Sequence, residues 1–373
     1  MTPKKILHLY SNHKWTGPAD HALNLVGWLQ SRTDVKAYFA CGRRKGVQNP
    51  LYEKSSRRRL EFIGGLHLKK HLSWELLPDV YALHKILGDR QINLVHCHQD
   101  NDALTAVLAG CGPRMIRTCY DGDPRPLNYR QRYSYRRAAK IMTASVKQQQ
   151  HLAALFPGKD IQQVDVPVDL ELFHPFEKSA ALLAEFGLKT DDPVGGIVAR
   201  VQKHRNFSQL LDAVEQVTRV IPEFKFLIVG RGTHIDSVAR KPVQRRGLEK
   251  NIIFTGYRGD DYRDVLNLFD YKIFLVPGSD GSCRAVREAL ACGKPVIASG
   301  KGILPELIRD GETGILVNDT PQDLARAMIT MSRDRDFRHR CSRKARQYAE
   351  TVLNPERYVK KILACYASLH NDI

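Results

Sequence analysis

Two runs of short β-branched segments, each segment separated from the next by an amphipathic stretch, leave few folds open to this 373-residue chain. In the first half, residues 6–10, 35–41, 94–98 and 115–118 read as strands, with helical spacing at 19–29, 76–87 and 103–109. The second half repeats the rhythm with strands at 194–198, 224–229, 251–255, 272–276, 295–298 and 314–317. Strands alternating with helices build parallel sheets covered on both faces. A chain of this length exceeds one ordinary core and suits two. The expected architecture is therefore α/β, with two doubly wound Rossmann-like domains facing across a cleft. Residues 164–175 carry Pro167 and Pro175 and break the period, which places a linker near 167–180. The domains are expected at 1–170 and 177–354. Tyr358, Ile362, Cys365 and Leu369 give segment 355–373 helical spacing, and it is expected to pack back on the first domain.

With 43% hydrophobic and 26% charged residues the chain is that of an ordinary globular protein, without low-complexity tracts. Met1-Thr2-Pro3-Lys4-Lys5 leads straight into the first strand, and no apolar run has signal-peptide or membrane-spanning length. The expectation is a cytoplasmic protein. Eight cysteines without a Cys-x-x-Cys pair read as reduced core residues. His96-Cys97-His98 raises the question of a metal, but two ligands from one strand do not complete a site, so none is expected.

Lys and Arg outnumber Asp and Glu by 58 to 40. The excess is concentrated in Lys54–Arg59, Lys69-Lys70, Arg125–Arg137 with its Tyr129, Tyr133 and Tyr135, and Lys241–Arg246. A solvated surface, a nucleic-acid groove, and attraction to an anionic membrane or phosphorylated substrate all fit such a charge.

Three loops carry chemistry. Residues 275–297 read as strand, small-residue turn, helix, glycine stop and strand, which puts free backbone N–H groups at a helix N-terminus where an anion is favoured. Asp280 precedes that helix and Glu288 lies about two turns into it, so both carboxylates can face one pocket; an acidic cap plus a surface glutamate is the bland alternative. The second loop, Arg200-Val-Gln-Lys203-His204-Arg205-Asn206, also follows a strand and offers fixed cations of the kind that neutralise a departing diphosphate. The third, residues 11–21, joins the first strand to the first helix through Gly17, where backbone can approach a ligand closely.

On these residues the chain resembles the family 4 glycosyltransferases of GT-B fold, over essentially its whole length. The family's Glu-x7-Glu signature is matched by Asp280-x7-Glu288 followed by Ala289-Leu-Ala-Cys-Gly293-Lys-Pro295-Val-Ile. Gly302-Ile-Leu-Pro305-Glu306, Asp310-Gly-Glu-Thr-Gly314, Phe226-Leu-Ile-Val-Gly230, Ile253-Phe-Thr-Gly256-Tyr257, Leu94-Val-His-Cys-His98 and Pro167-Val-Asp169-x3-Phe173-x-Pro175 follow the same pattern.

The resemblance implies an enzyme that takes a sugar from a nucleotide diphosphate donor, retains anomeric configuration, and uses neither metal nor cofactor. It implies that Arg200 binds the diphosphate, with Arg205 or Lys203 as the second cation. Glu288 would hold the nucleotide ribose and Asp280 would lie against the transferred sugar. Gly281, Ser282, Cys283, Arg284 and Ala285 would form the donor loop and first turn, Gly256 and Tyr257 would lie by the base, and Gly17 by the phosphates. Two departures fall on the acceptor side: the family's paired glycines are Gly17-Pro18 here, and proline offers no N–H. Its Thr-x-His is Thr118-Cys-Tyr120-Asp121, so Tyr120, Asp121 or His98 takes the place of the histidine.

The mechanism expected from this has the acceptor hydroxyl attack from the leaving-group face, with a departing phosphate oxygen taking its proton. A glycan or lipid-linked acceptor, as in lipopolysaccharide or other surface-polysaccharide synthesis, fits a basic N-terminal surface docked peripherally on the inner face of an anionic membrane. The alternatives are an inactive or non-transferase GT-B relative, such as an epimerase or nucleotide-sugar binder, and a basic RNA-binding protein whose tyrosines stack bases. The acidic signature speaks against RNA, and no nucleic-acid partner is expected.

Overall fold

The computed structural model describes residues 3–43, 49–277 and 282–369. The chain divides into two compact units, one formed by Met1–Val166, Ser279–Ser282 and Pro355–Ile373, the other by Pro167–Gly278 and Cys283–Asn354.

The first unit runs β1 (Lys4–Tyr10), α1 (Gly17–Gln30), β2 (Val35–Cys41), α2 (Pro50–Arg57), α3 (Leu76–Asp89), β3 (Leu94–Cys97), α4 (Asp100–Leu108), β4 (Met115–Cys119), α5 (Tyr129–Arg137), β5 (Lys140–Thr143), α6 (Val146–Leu155) and β6 (Ile161–Gln163). Its sheet is parallel, in the order β2-β1-β3-β4-β5-β6. Leu7 and Leu9 enter one apolar layer while Ile6 and Tyr10 enter the other, the period-2 alternation that buries both faces of a strand. β5 escapes the sequence pattern because Lys140 and Thr143 flank only two apolar residues, and β6 because it is a three-residue polar edge strand, Ile-Gln-Gln.

The second unit runs α7 (Ala180–Glu185), β7 (Val194–Val198), α8 (Phe207–Val220), β8 (Lys225–Val229), α9 (Lys241–Arg245), β9 (Ile252–Gly256), α10 (Tyr262–Leu268), β10 (Tyr271–Phe274), α11 (Arg284–Ala291), β11 (Val296–Ser299), α12 (Leu304–Leu307), β12 (Gly314–Val317), α13 (Pro321–Arg333) and α14 (Arg335–Thr351). Its parallel sheet has the order β12-β11-β10-β7-β8-β9. Phe226 and Ile228 point to one layer, Leu227 and Val229 to the other. α8 buries Phe207, Leu210, Leu211, Val214 and Val217, a stripe at helical spacing, and packs against α13. Truncating a fully buried residue such as Leu227 to alanine costs about 2–5 kcal/mol. Gly196 has no alternative: a Cβ there would lie 2.2 Å from the Phe269 ring.

The stretch read as a linker is packed rather than free. Val168 and Phe173 are buried in the second unit's core, and the Val168 N–H donates to Leu353 O at 3.0 Å. The last helix, α15 (Pro355–Ser368), belongs to the first unit. Tyr358, Ile362 and Tyr366 join the layer that holds Ile6 and Leu25, and the Tyr366 hydroxyl meets His96 Nδ1 at 2.7 Å. All eight cysteines are buried and none forms a disulfide.

Candidate active site

In an open parallel sheet the loops at the strands' C-terminal ends part where the strand order reverses, and the gap between them takes ligands. In the second unit that point lies between β7 and β10. The loop leaving β7 carries Arg200 and a single 3₁₀ turn, Lys203–Arg205, before the left-handed Asn206 (φ 56°) opens α8. The chain leaving β10 leads to α11. Arg205 joins the two: its Nη1 donates to Val276 O, just past β10, at 2.6 Å. Arg200 and Lys203 are exposed. Of the two candidates for the second cation, the anchored one at the switch point is Arg205, while Lys203 stands on the surface of the turn.

Asp280 and Gly281 lie outside the described residues. Ser282 and Cys283 are buried, and the helix of this junction starts at Arg284, after Cys283 in a left-handed conformation (φ 39°). Glu288 is not a surface glutamate: it is 4% exposed. Tyr262 OH donates to its Oε2 at 2.8 Å, and Arg284, one turn earlier on α11, brings Nε to 3.4 Å from Oε1. A buried carboxylate is costly unless each oxygen has a partner, and here each has one.

Beneath this turn is a group that the sequence reading passed over. Lys272, on the central strand β10, is fully buried, and its Nζ donates to Ala285 O at 2.5 Å. Burial lowers its pKa to about 7, against the opposing pull of the Glu288 charge. Burial also pushes the Tyr262 phenol well up, and the negative charge of Glu288 adds to this. The missed signal was a lysine inside Tyr271-Lys-Ile-Phe274, since interior strands of a parallel sheet are otherwise apolar.

Gly256 closes β9 with φ 72°, a conformation that favours glycine, and its carbonyl accepts from Gly230 N at 2.8 Å. Tyr257 is 67% exposed, with the Arg231 guanidinium 5.1 Å from its ring centre. The structure thus pairs Tyr257 with Arg231 on the β8 side rather than with the Glu288 cluster.

In the first unit the strand order turns between β1 and β3. Asp102, fully buried, ties the loops after those strands together: Oδ2 accepts from Ser11 N and Oδ1 from Gln99 N, both at 2.9 Å. Gly17 is the first residue of α1, and the Thr16 hydroxyl caps that helix by accepting from Ala19 N while meeting Tyr10 OH at 2.7 Å. His98 and Tyr120 come together, with His98 Nδ1 at 3.0 Å from Tyr120 OH. Asp121 turns aside: Arg125 Nη2 donates to both its oxygens, at 2.8 and 2.9 Å. Burial raises its pKa, with Arg125 opposing.

His96 and His98, two possible ligands from one strand, have a third imidazole beside them. β1 pairs with β3 so that His8 lies beside His96, and one nitrogen from each of His8, His96 and His98 falls within 4.8 Å of the others. His96 and His98 stack face to face at 4.4 Å and 20°, while His8 and His98 are near-parallel at 5.3 Å and 18° and meet edge to edge through Nδ1 and Nε2. Stacked rings send their lone pairs side by side rather than to one point. Both nitrogens of His96 and both of His98 are already hydrogen-bonded. The geometry fits a stack of neutral imidazoles better than a coordination shell, and burial lowers all three pKa values. His8 Nε2 has no hydrogen-bond partner, which assigns the tautomer: a bare lone pair is cheaper to bury than an unmatched N–H, so Nδ1–H of His8 donates to His98 Nε2 at 3.0 Å and His98 Nδ1–H donates to Tyr120.

Comparison with known proteins gives the family. Residues 15–172 match the Glycosyltransferase Family 4 model and residues 179–348 the Glycosyl transferases group 1 model. The chain belongs to the family 4 glycosyltransferases. It is similar to the N-acetyl-alpha-D-glucosaminyl L-malate synthase of Bacillus anthracis, 25% identical over 58% of this chain and 55% of that one. It is also similar to a GDP-mannose-dependent alpha-(1-6)-phosphatidylinositol monomannoside mannosyltransferase of Mycolicibacterium smegmatis, 28% identical over 46% of each. The chain thus spans about half the length of the curated relatives it matches. Among solved structures, Anabaena HepE in complex with UDP superposes with a TM-score of 0.82 at 18% identity, over 98% of this chain and 100% of that one. The shared fold is GT-B. Among the described residues no helix is long and apolar enough to cross a membrane.

Proposed function

We propose that the protein is a retaining glycosyltransferase that moves a sugar from a nucleotide diphosphate donor to a glycan or lipid-linked acceptor. The observation that carries this reading is the Glu288 cluster: a buried carboxylate held by Tyr262 and Arg284 at the switch point, with Arg205 fixed to the end of β10. A carboxylate whose rotamer is set on both oxygens is prepared to accept from a vicinal diol, and Glu288 takes the ribose. Arg200 and Arg205 stabilise the diphosphate as it leaves, so no divalent metal is required. Contact with the transferred sugar is assigned to Asp280, and the departing phosphate oxygen takes the acceptor's proton. In the first unit Tyr120, oriented by His98, meets the acceptor hydroxyl. Relatives support the donor class: one is named as GDP-mannose-dependent and a structural neighbour was solved with UDP.

The same relatives act on small polar and phosphatidylinositol acceptors by name, which suits a lipid-linked acceptor, surface-polysaccharide synthesis and a peripheral position on an anionic membrane. The test is transfer from UDP, GDP and ADP sugars in EDTA, with release of nucleoside diphosphate as the readout. Turnover lost in Glu288→Gln and Arg205→Ala, by about 10²–10³-fold for the arginine, supports the assignment. Nucleotide binding without turnover would instead indicate a binder or an inactive relative.

A further inference from the structure

α3 is amphipathic in an unusual way. Its inner face is fixed: Leu83 and Leu87 are buried, and the buried Asp79 carboxylate accepts from the backbone N–H of His67 at 2.7 Å and of Leu68 at 2.8 Å. Its outer face is apolar where a solvated helix is charged. Leu77 is 73% exposed and Tyr81 76%, one turn apart on that face, and Trp74, in the turn just before the helix, is 80% exposed. Leu72, in the loop before the helix, adds a further exposed side chain. Single exposed apolar residues are ordinary, but an aligned group on an anchored helix marks an interaction surface.

The charge around this stripe says what covers it. Lys70, His71, His84 and Lys85 are exposed on the same segment, and Glu75 is already matched by Lys69 at 3.3 Å. α5, which like α3 packs against α4, contains no acidic residue and exposes Arg130, Arg132, Arg136 and Arg137. A second copy of the chain on this face would bring like charges together. An anionic lipid surface would not, and it takes Trp, Tyr and Leu at the depth of its headgroups with Lys and Arg beside them.

We propose that the first unit docks on anionic phospholipid bilayers by inserting Leu77 and Tyr81 of α3 together with Trp74 of the turn before it. This rests on the reading of a peripheral enzyme and names the surface responsible. Attachment then depends on apolar insertion as well as on basic charge.

The chain has three tryptophans, so Trp15→Phe with Trp28→Phe leaves Trp74 as the sole reporter. With vesicles of phosphatidylglycerol and phosphatidylcholine, Trp74 emission should shift to the blue and the protein should co-sediment; with phosphatidylcholine alone both should fall at least tenfold. Leu77→Glu with Tyr81→Glu, in otherwise unaltered protein, should reduce vesicle binding at least tenfold while leaving turnover of a water-soluble acceptor unchanged. Equal vesicle binding by this variant and the unaltered protein would overturn the proposal while sparing the peripheral reading. No vesicle binding by either would sink both. A dimer in sedimentation velocity that the double variant dissociates, without any Trp74 shift on vesicles, would assign the face to a second copy instead.

Discussion

Tyr262 reaches across from α10 to donate its hydroxyl to Glu288 Oε2 on α11 at 2.8 Å. The bond fixes a buried carboxylate on the side opposite Arg284, so under the proposed function the tyrosine acts through Glu288 as a positioning residue. Tyr262→Phe keeps the ring and removes the O–H, leaving one carboxylate oxygen unmatched at about 1–3 kcal/mol. Donor dissociation constants measured by calorimetry should rise about tenfold, while a nucleotide lacking the ribose diol should bind with unchanged affinity.

Arg205 and Lys203 differ in anchoring, and their substitution should separate them. Arg205→Ala removes the cation held against Val276 O and should lower kcat by about 10²–10³-fold, the range for losing one preorganised charge stabiliser. Lys203→Ala, on an exposed side chain, should cost less than tenfold. Equal losses in steady-state kinetics would overturn the assignment.

Lys272 makes the second unit's stability depend on pH. Its folded pKa of about 7 lies below the ordinary 10.5, so between these values the unfolded chain binds a proton that the folded chain does not. Stability is therefore full above about 10.5, falls as pH drops through that window, and levels out below about 7. Lys272→Met should flatten this slope in urea unfolding between pH 7 and 9.

The imidazole stack should act in the same sense in the first unit at lower pH. Burial holds His96 at about 3 against an ordinary 6.5, and lowers His8 and His98 as well. Below pH 6.5 the unfolded chain takes up protons that the folded one refuses, so stability drops by up to about 1.4 kcal/mol per pH unit for each histidine. Urea midpoints between pH 7 and 5 should fall steeply, and less steeply in His8→Leu.

Tyr120 tests the acceptor side. Tyr120→Phe deletes the O–H that completes the chain His8, His98, Tyr120 while keeping the ring stacked on His98. The expected outcome is a raised KM for the acceptor with an unaltered donor dissociation constant.

The sheets were legible because β2 and β8 are long enough, and apolar enough, for alternation to stand out; β6, three residues of Ile-Gln-Gln at an edge, carries no such signal. In the site, loop chemistry pointed to the cations Arg200, Lys203 and Arg205 and to the carboxylates Asp280 and Glu288 because strand-turn-helix junctions are written in consecutive residues. Tyr262, Lys272 and His8 were not visible, since each reaches its partner across a neighbouring element. Recognising His8 requires knowing that β1 pairs with β3, a relation separated by about ninety residues of chain. Lys272 was hidden differently: it occupies a strand position in correct register, and only its burial makes it anomalous.

The return of α15 to the first unit also sets an order of events during synthesis. Domains generally fold as they emerge, the N-terminal one first. Here the layer over Ile6 and Leu25 is closed by Tyr358, Ile362 and Tyr366, residues translated only after the second unit is finished. The nascent first unit must wait with that apolar face open, and a chain stopped before Pro355 never covers it. Stop codons between Pro355 and Tyr366 therefore act as folding lesions of the first unit, with aggregation and proteolysis there rather than at the site of truncation.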